Sequence, residues 1–141
     1  VRAPQTRFAG YAALFDVADA SGDVIRRGAF ARAIAEGAEV PLFWQHRPQQ
    51  RIGAVEWLQE DARGLRVIAR LDPGVRPREA NGLSFGYRAR GFRPLPSGRV
   101  LEDIELLEVS VVTHPLQHGA RVHLFQENPP RHGEVAPAAG G

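Results

Sequence analysis

The sequence predicts one mainly β domain with few helices. Its 15 glycines and 11 prolines fall mostly between short apolar segments, which favours many turns and short strands over a helical bundle. Several segments, residues 64–71 among them, alternate with the period of two that a half-buried strand requires. A chain of 141 residues with 43% hydrophobic content can bury one core and is short for two.

Taken in order, RFAGYAALF at 7–15 mixes small and aromatic residues and reads as a first strand ending near Asp16, followed by the loop DASGD. Phe30 and Ile34 then stand at i,i+4 among helix-forming alanines, and Gly37 can stop a helix, so one short helix is expected over 28–36. VPLFWQH at 40–46 reads as a buried strand broken by RPQQ. RIGAVEWLQE at 51–60 resumes the alternation and turns at DARG into GLRVIARL at 64–71, where Leu65, Val67, Ala69 and Leu71 share a side; the two should form an antiparallel hairpin.

DPGVRPREANG is expected to be a loop and LSFGYRARGFR a strand. PLPSG then turns, and RVLEDIELLEVSVVTHP supplies a long strand closed by Pro115. Residues 127–141, ENPPRHGEVAPAAGG, lack the apolar content to pack and are expected to form a flexible Pro/Gly/Ala-rich tail, leaving 1–126 as the folded domain.

All 18 basic residues are arginine and the formal charge is only +2. They are scattered among acids instead of lying on one stripe with aromatics, which argues against dedicated nucleic-acid binding. The absence of cysteine excludes disulfides, thiolate zinc sites and a thiol nucleophile. VRAPQTRFAG has no apolar signal-peptide core, and no apolar run approaches the ~20 residues of a membrane helix, so a soluble intracellular protein is expected.

Three side chains carry the candidate chemistry: His46 at the end of an aromatic strand, Ser84 inside NGLSFGYRARGF, and Glu108 inside IELLEVSVVTH. In strand alternation Ile104, Leu106, Glu108, Ser110, Val112 and His114 share a face, so Glu108 would be a carboxylate beside apolar neighbours, costly unless paired. The bland readings are a half-exposed strand-end histidine, a filler serine and a glutamate paired with one of the arginines. Together, though, the three supply a serine nucleophile, a base titrating near neutrality and an acceptor to fix the imidazole tautomer. His114 and His118 stand four apart, but Pro115 argues against a helix presenting both to a metal, and no other cluster supplies partners. No cofactor and no metal is expected.

PLFWQHRPQQRIGAVEWLQEDARGLRVIARL, then GLSFGYRAR, then LEDIELLEVSVVTHP, preceded by GDVIRRGAFARAI, resembles the tailed-phage prohead protease family, the capsid-maturation serine proteases related in fold to herpesvirus assemblin. The resemblance covers roughly residues 7–125, and the ordered set of blocks is more specific than any one of them. It implies an antiparallel β-barrel of the herpesvirus-protease-like type, with residues 1–126 as the protease domain of a phage or phage-like gene transfer agent. By motif, His46 of WQH matches the general base, Ser84 of GLSFGY the nucleophile, and Glu108 of LEVSVVTHP the block of the third member. Assemblins use a second histidine there, which makes His114 the rival, with Ser110 or a backbone group as further alternatives. The segment between Gly74 and Gly82 is shorter than the family commonly has.

The implied function is a serine endopeptidase that cleaves the major capsid protein or a scaffold segment inside the assembling procapsid, in the host cytoplasm. Homodimers or higher oligomers are a further expectation, and no membrane is involved. The competing class is a catalytically inactive β-rich capsid or scaffold-associated structural protein. The presence of both His46 and Ser84 in their blocks favours the enzyme, since a retired fold has no chemical need of either.

Overall fold

The computed structural model describes residues 5–37, 39–75 and 80–128. They form eight strands and one short helix: β1 (Gln5–Leu14), β2 (Val24–Ile25), α1 (Ala31–Glu36), β3 (Val40–Trp44), β4 (Arg47–Glu60), β5 (Gly64–Leu71), β6 (Gly82–Leu95), β7 (Gly98–Val112) and β8 (Val122–Asn128). The strands join in one sheet of order β2-β7-β3-β4-β5-β1-β8, with β6 also paired to β7. Pairing is antiparallel except where β2 and β3 run parallel to β7. The continuous ladder does not close into the expected barrel, although an isolated bridge joins Gly82 to Arg121.

The alternation of GLRVIARL governs the centre of the sheet. Leu65, Val67, Ala69 and Leu71 are all buried, and β5 pairs antiparallel with both β4 and β1. They pack with Phe8, Phe30, Leu42, Leu83, Ile104 and Val109 in a single core. Each such side chain contributes roughly 1.5–3 kcal/mol of transfer free energy.

The helix is shorter than the expected 28–36, because Gly28 to Phe30 form turns before it. Its first turn lacks a side-chain cap of its own. Instead Glu60 accepts the N–H groups of Gly28 at 2.9 Å and Phe30 at 2.8 Å, which satisfies orphan donors and places a negative charge at the helix start. Gly37 ends the helix at φ 65°, in the left-handed region that glycine enters without a Cβ penalty.

Two expected boundaries move. The segment RPQQ, read as a break, belongs to β4: the register runs from Trp44↔Arg47 to Phe43↔Arg51, so Pro48, which cannot donate to a ladder, lies where the strand bulges away from β3. The strand expected to reach Pro115 stops at Val112, and the chain then returns as β8, which pairs with β1 through Asn128. The expected tail thus begins inside a paired strand, and its residues 129–141 lie outside the described residues, as do residues 76–79 of the short segment after Gly74.

Candidate active site

The site is built on β7, which runs between β3 and β6. Strict alternation would put Glu108 on the face of Ile104 and Leu106. Instead the β6–β7 register passes from Gly86↔Glu108 to Tyr87↔Leu106, so Leu107 is an extra residue, and it bulges outward at 41% exposure. A bulge of one residue reverses the faces beyond it. Ile104 and Leu106 before it, and Val109 and Val111 after it, therefore all reach the core. Glu108 and Ser110 turn to the opposite face, away from the apolar neighbours that alternation gave them.

On β6 the same face carries Ser84, paired with Ser110, and Gly86, paired with Glu108. Leu83 and Phe85 point the other way, into or against the core. Gly86 is required by Glu108: a Cβ there would stand 2.8 Å from Oε1 and 2.9 Å from Cγ of the glutamate.

His46 arrives from the other side of β7. It lies not on the strand, as its apolar run suggested, but in the two-residue turn between β3 and β4. Both turn residues have positive φ, Gln45 at 52° and His46 at 60°. That is the backbone of a type I′ hairpin, usually made by Asn-Gly, and each such non-glycine residue costs roughly 1–2 kcal/mol. Besides the His46 ring, four hydrogen bonds tie the turn to β7 and to Thr113 just beyond it. The Gln45 N–H donates to Val111 O at 3.0 Å, its side chain exchanges bonds with Thr113 at 3.3 and 3.2 Å, and the His46 N–H donates to Ser110 Oγ at 3.1 Å.

The Glu108 carboxylate sits at the centre. Its Oε1 accepts from His46 Nδ1 at 2.7 Å, and its Oε2 accepts from the Ser110 hydroxyl at 2.6 Å. Ser110 is fully buried and Glu108 nearly so, whereas the His46 side chain is 45% exposed. Both carboxylate oxygens are thus satisfied, which removes the cost of burying the group unpaired. Because a carboxylate only accepts, the bond fixes the Nδ1–H tautomer and leaves Nε2 as the basic nitrogen. The hydrogen bond to Glu108 raises the His46 pKa above its ordinary 6.5, against partial desolvation, and the carboxylate's charge adds to the rise. Such an imidazole can accept a proton from a hydroxyl and hold it.

Ser84 is buried to 7% exposure on the strand beside this network, and its hydroxyl makes no hydrogen bond among the described residues. His46 and Glu108 are in direct contact, and Ser84 is joined to them through its pairing with Ser110. His114 is not brought in: it lies exposed beyond the last residue of β7. Sequence reasoning weighed Ser110 only as a substitute third member and missed Gly86. The glycine in SFGY was a readable signal of close backbone approach; the bulge that makes Ser110 and Glu108 neighbours of His46 left no mark on the apolar pattern. Among the described residues no group of His, Asp and Glu could hold a metal.

The model of the caudovirus prohead serine protease family matches residues 1–132. The chain belongs to this family. It is 32% identical, over an alignment of 130 residues, to the prohead protease of Enterobacteria phage HK97, with 82% of this chain and 58% of that relative covered; it therefore spans less than two thirds of the relative's length. Among solved structures it is similar to varicella-zoster virus protease, with a TM-score of 0.57, 15% identity, and 88% of this chain and 64% of the other covered. It is also similar to KSHV protease in complex with a hexapeptide phosphonate inhibitor, at TM-score 0.53 and 11% identity over 87% of this chain and 65% of that one. At these identities the viral proteases share the fold with this family member, and the family assignment rests on the sequence match.

Proposed function

We propose that the chain is a serine endopeptidase of procapsid maturation that cleaves capsid or scaffold polypeptide, with Ser84 as nucleophile, His46 as general base and Glu108 as the group that orients His46. The observation that carries this reading is the 2.7 Å bond from His46 Nδ1 to a buried carboxylate on the strand adjoining Ser84. After a side-chain rotation that brings the Ser84 hydroxyl to Nε2, its Oγ attacks the scissile carbonyl carbon while Nε2 takes the hydroxyl proton. The imidazolium, stabilised by Glu108, then gives that proton to the leaving amine as the C–N bond breaks. Water repeats the sequence on the acyl-enzyme and regenerates Ser84.

Residues 1–126 are read as the protease domain and 127–141 as dispensable for chemistry. The reading extends to a nearly closed barrel, supported by bonds across the gap: Leu83 N–H to Ala120 O at 2.8 Å and Val122 N–H to Asn81 O at 2.9 Å. Cleavage inside the procapsid is the reading that the family match supports, and no described helix is long and apolar enough to cross a membrane. The deciding experiment is co-expression with the major capsid protein, following its size on a gel. Processing should occur with the parent chain and cease with Ser84→Ala and His46→Ala; undiminished processing by Ser84→Ala would exclude the nucleophile.

A further inference from the structure

Among the described residues, nine arginines form salt bridges with carboxylates. Arg63, Arg66 and Arg121 form none, and these three line one open depression of about 680 Å³ together with Tyr11, His118 and His123. Hydrogen bonds and a ring contact hold their heads in place. Arg121 donates to His118 O at 2.9 Å and to Asn81 Oδ1 at 2.8 Å, Arg66 donates to His123 Nε2 at 3.3 Å, and the Arg63 guanidinium lies 5.2 Å from the Tyr11 ring centre.

The nearest acid is engaged elsewhere. Asp61 accepts from the Tyr11 hydroxyl and from the N–H groups of Arg63 at 2.8 Å and Gly64 at 3.1 Å. Although burial opposes its ionisation, these donors, with the charge of Arg66, hold its pKa below the ordinary value. It closes its own turn and, although its charge is felt by Arg66, forms no salt bridge with the three arginines, whose remaining N–H donors are oriented. That is the condition for capturing an anion.

We propose that this depression is a docking site for an acidic segment of the polypeptide substrate. Its substrate identity rests on the protease reading; its affinity for carboxylates does not. The location fits, because Arg121 bridges Gly82 and bonds Asn81, at the start of the strand that carries Ser84, so a bound segment lies beside that strand. The three cations line one compact depression, unlike the stripe that tracks a phosphate backbone. A few carboxylates, each able to take a guanidinium bidentately, match it better.

The test uses the full chain carrying Ser84→Ala, so that cleavage cannot consume the probe. Anisotropy is read for a fluorescein-labelled glutamate-rich peptide, its glutamine counterpart and an oligothymidylate of matched charge. The glutamate peptide should bind and weaken as salt rises, with the glutamine peptide at least about 10-fold weaker. Adding Arg63→Gln and Arg66→Gln should cost about 10-fold, and Arg66→Glu alone should also weaken binding; both arginines are surface residues, and an unchanged melting temperature verifies the fold. Equal binding of the two peptides, indifference to the arginine substitutions or tighter binding of the oligothymidylate would each overturn the proposal. Failure of the protease reading would show instead as unprocessed capsid protein, with the anisotropy result unaffected.

Discussion

Two glutamates three residues apart on β7 have opposite fates. Glu105 is about one-third exposed and faces Arg88 and Arg90, both at 3.6 Å, with Arg90 also shared with Glu36. Glu108 is nearly buried, and each of its oxygens has its own partner at 2.7 or 2.6 Å. In an arginine-rich chain the simplest expectation for any glutamate is an arginine, and Glu105 meets it. Glu108 escapes it because the bulge at Leu107 turns it to the face that His46 covers. Surface pairs of the first kind are screened and interchangeable, worth about 0–1 kcal/mol; the second kind fixes a tautomer and a ring orientation. The difference predicts which substitutions affect turnover and which affect almost nothing.

The largest effect is expected at Ser84, the proposed nucleophile. Ser84→Ala should lower kcat on a peptide substrate by about 10⁴–10⁶-fold. Its melting temperature should stay within a degree or two of the parent, roughly, since only a hydroxyl without a hydrogen-bond partner is lost. Residual turnover near the parent rate would mean that the Glu108 network serves something other than this serine.

Next comes Glu108→Gln, which keeps the shape and removes the charge. Turnover should fall by about 10²–10⁴-fold, while His114→Gln should leave it unchanged. The pH dependence sharpens the contrast. His46 must be neutral to act as base, and Glu108 raises its pKa, so parent activity should rise with pH through a midpoint above 6.5. In Glu108→Gln that acid limb, and the His46 ring titration followed by NMR, should move down. The linkage has the matching sign: a raised folded-state pKa contributes stability at pH below the unfolded value, lost as pH rises through the folded one. An unmoved His46 titration in Glu108→Gln would remove the basis for the comparison.

The residue types of the candidate site were legible in the sequence because a serine, a histidine and a carboxylate in separate strand-like blocks have a joint chemical meaning that none has alone. The central hairpin was legible because GLRVIARL alternates without interruption. The position of Glu108 relative to its neighbours was not: Leu107 is apolar, fits the alternation on paper, and only the pairing with β6 reveals it as an extra residue. His46 looked like a strand end because Gln45 and His46 lack the Asn-Gly signature of the turn they form; bonds to Ser110, Val111 and Thr113, distant in sequence, hold it. β8 was missed because its segment precedes a Pro-rich stretch, and its pairing with β1 is set by tertiary contact.

Gly86 tests whether the carboxylate must stay where it is. In Gly86→Ala the new methyl would meet Glu108 Oε1 and Cγ below van der Waals distance. The glutamate end is flexible in principle, so the fold should survive with a destabilisation of about 1 kcal/mol. Moving that end breaks its bonds to His46 and Ser110, so turnover should drop about 10- to 100-fold, with the His46 titration moving toward its Glu108→Gln position. Loss of stability without loss of turnover would show that the site tolerates a displaced carboxylate.

The smallest effect is assigned to Glu105→Gln, and it is the control on which the contrast depends. Glu105 shares a strand, a charge and a set of arginine neighbours with the bland reading once open to Glu108, yet its contacts are long and about one-third exposed. Arg90 keeps Glu36 at 3.3 Å when Glu105 is neutralised, so no cation is stranded. The stability change should be within about 0.5 kcal/mol and shrink further as salt is added. Turnover and the His46 titration should match the parent, because Glu105 pairs with Arg88 and Arg90 and the bonds that hold His46 go to Glu108 and Ser110 instead. If Glu105→Gln reduced turnover to the level of Glu108→Gln, the charge of the whole strand would be what matters to His46, and the specific bond to Glu108 would lose its claim to be the orienting contact.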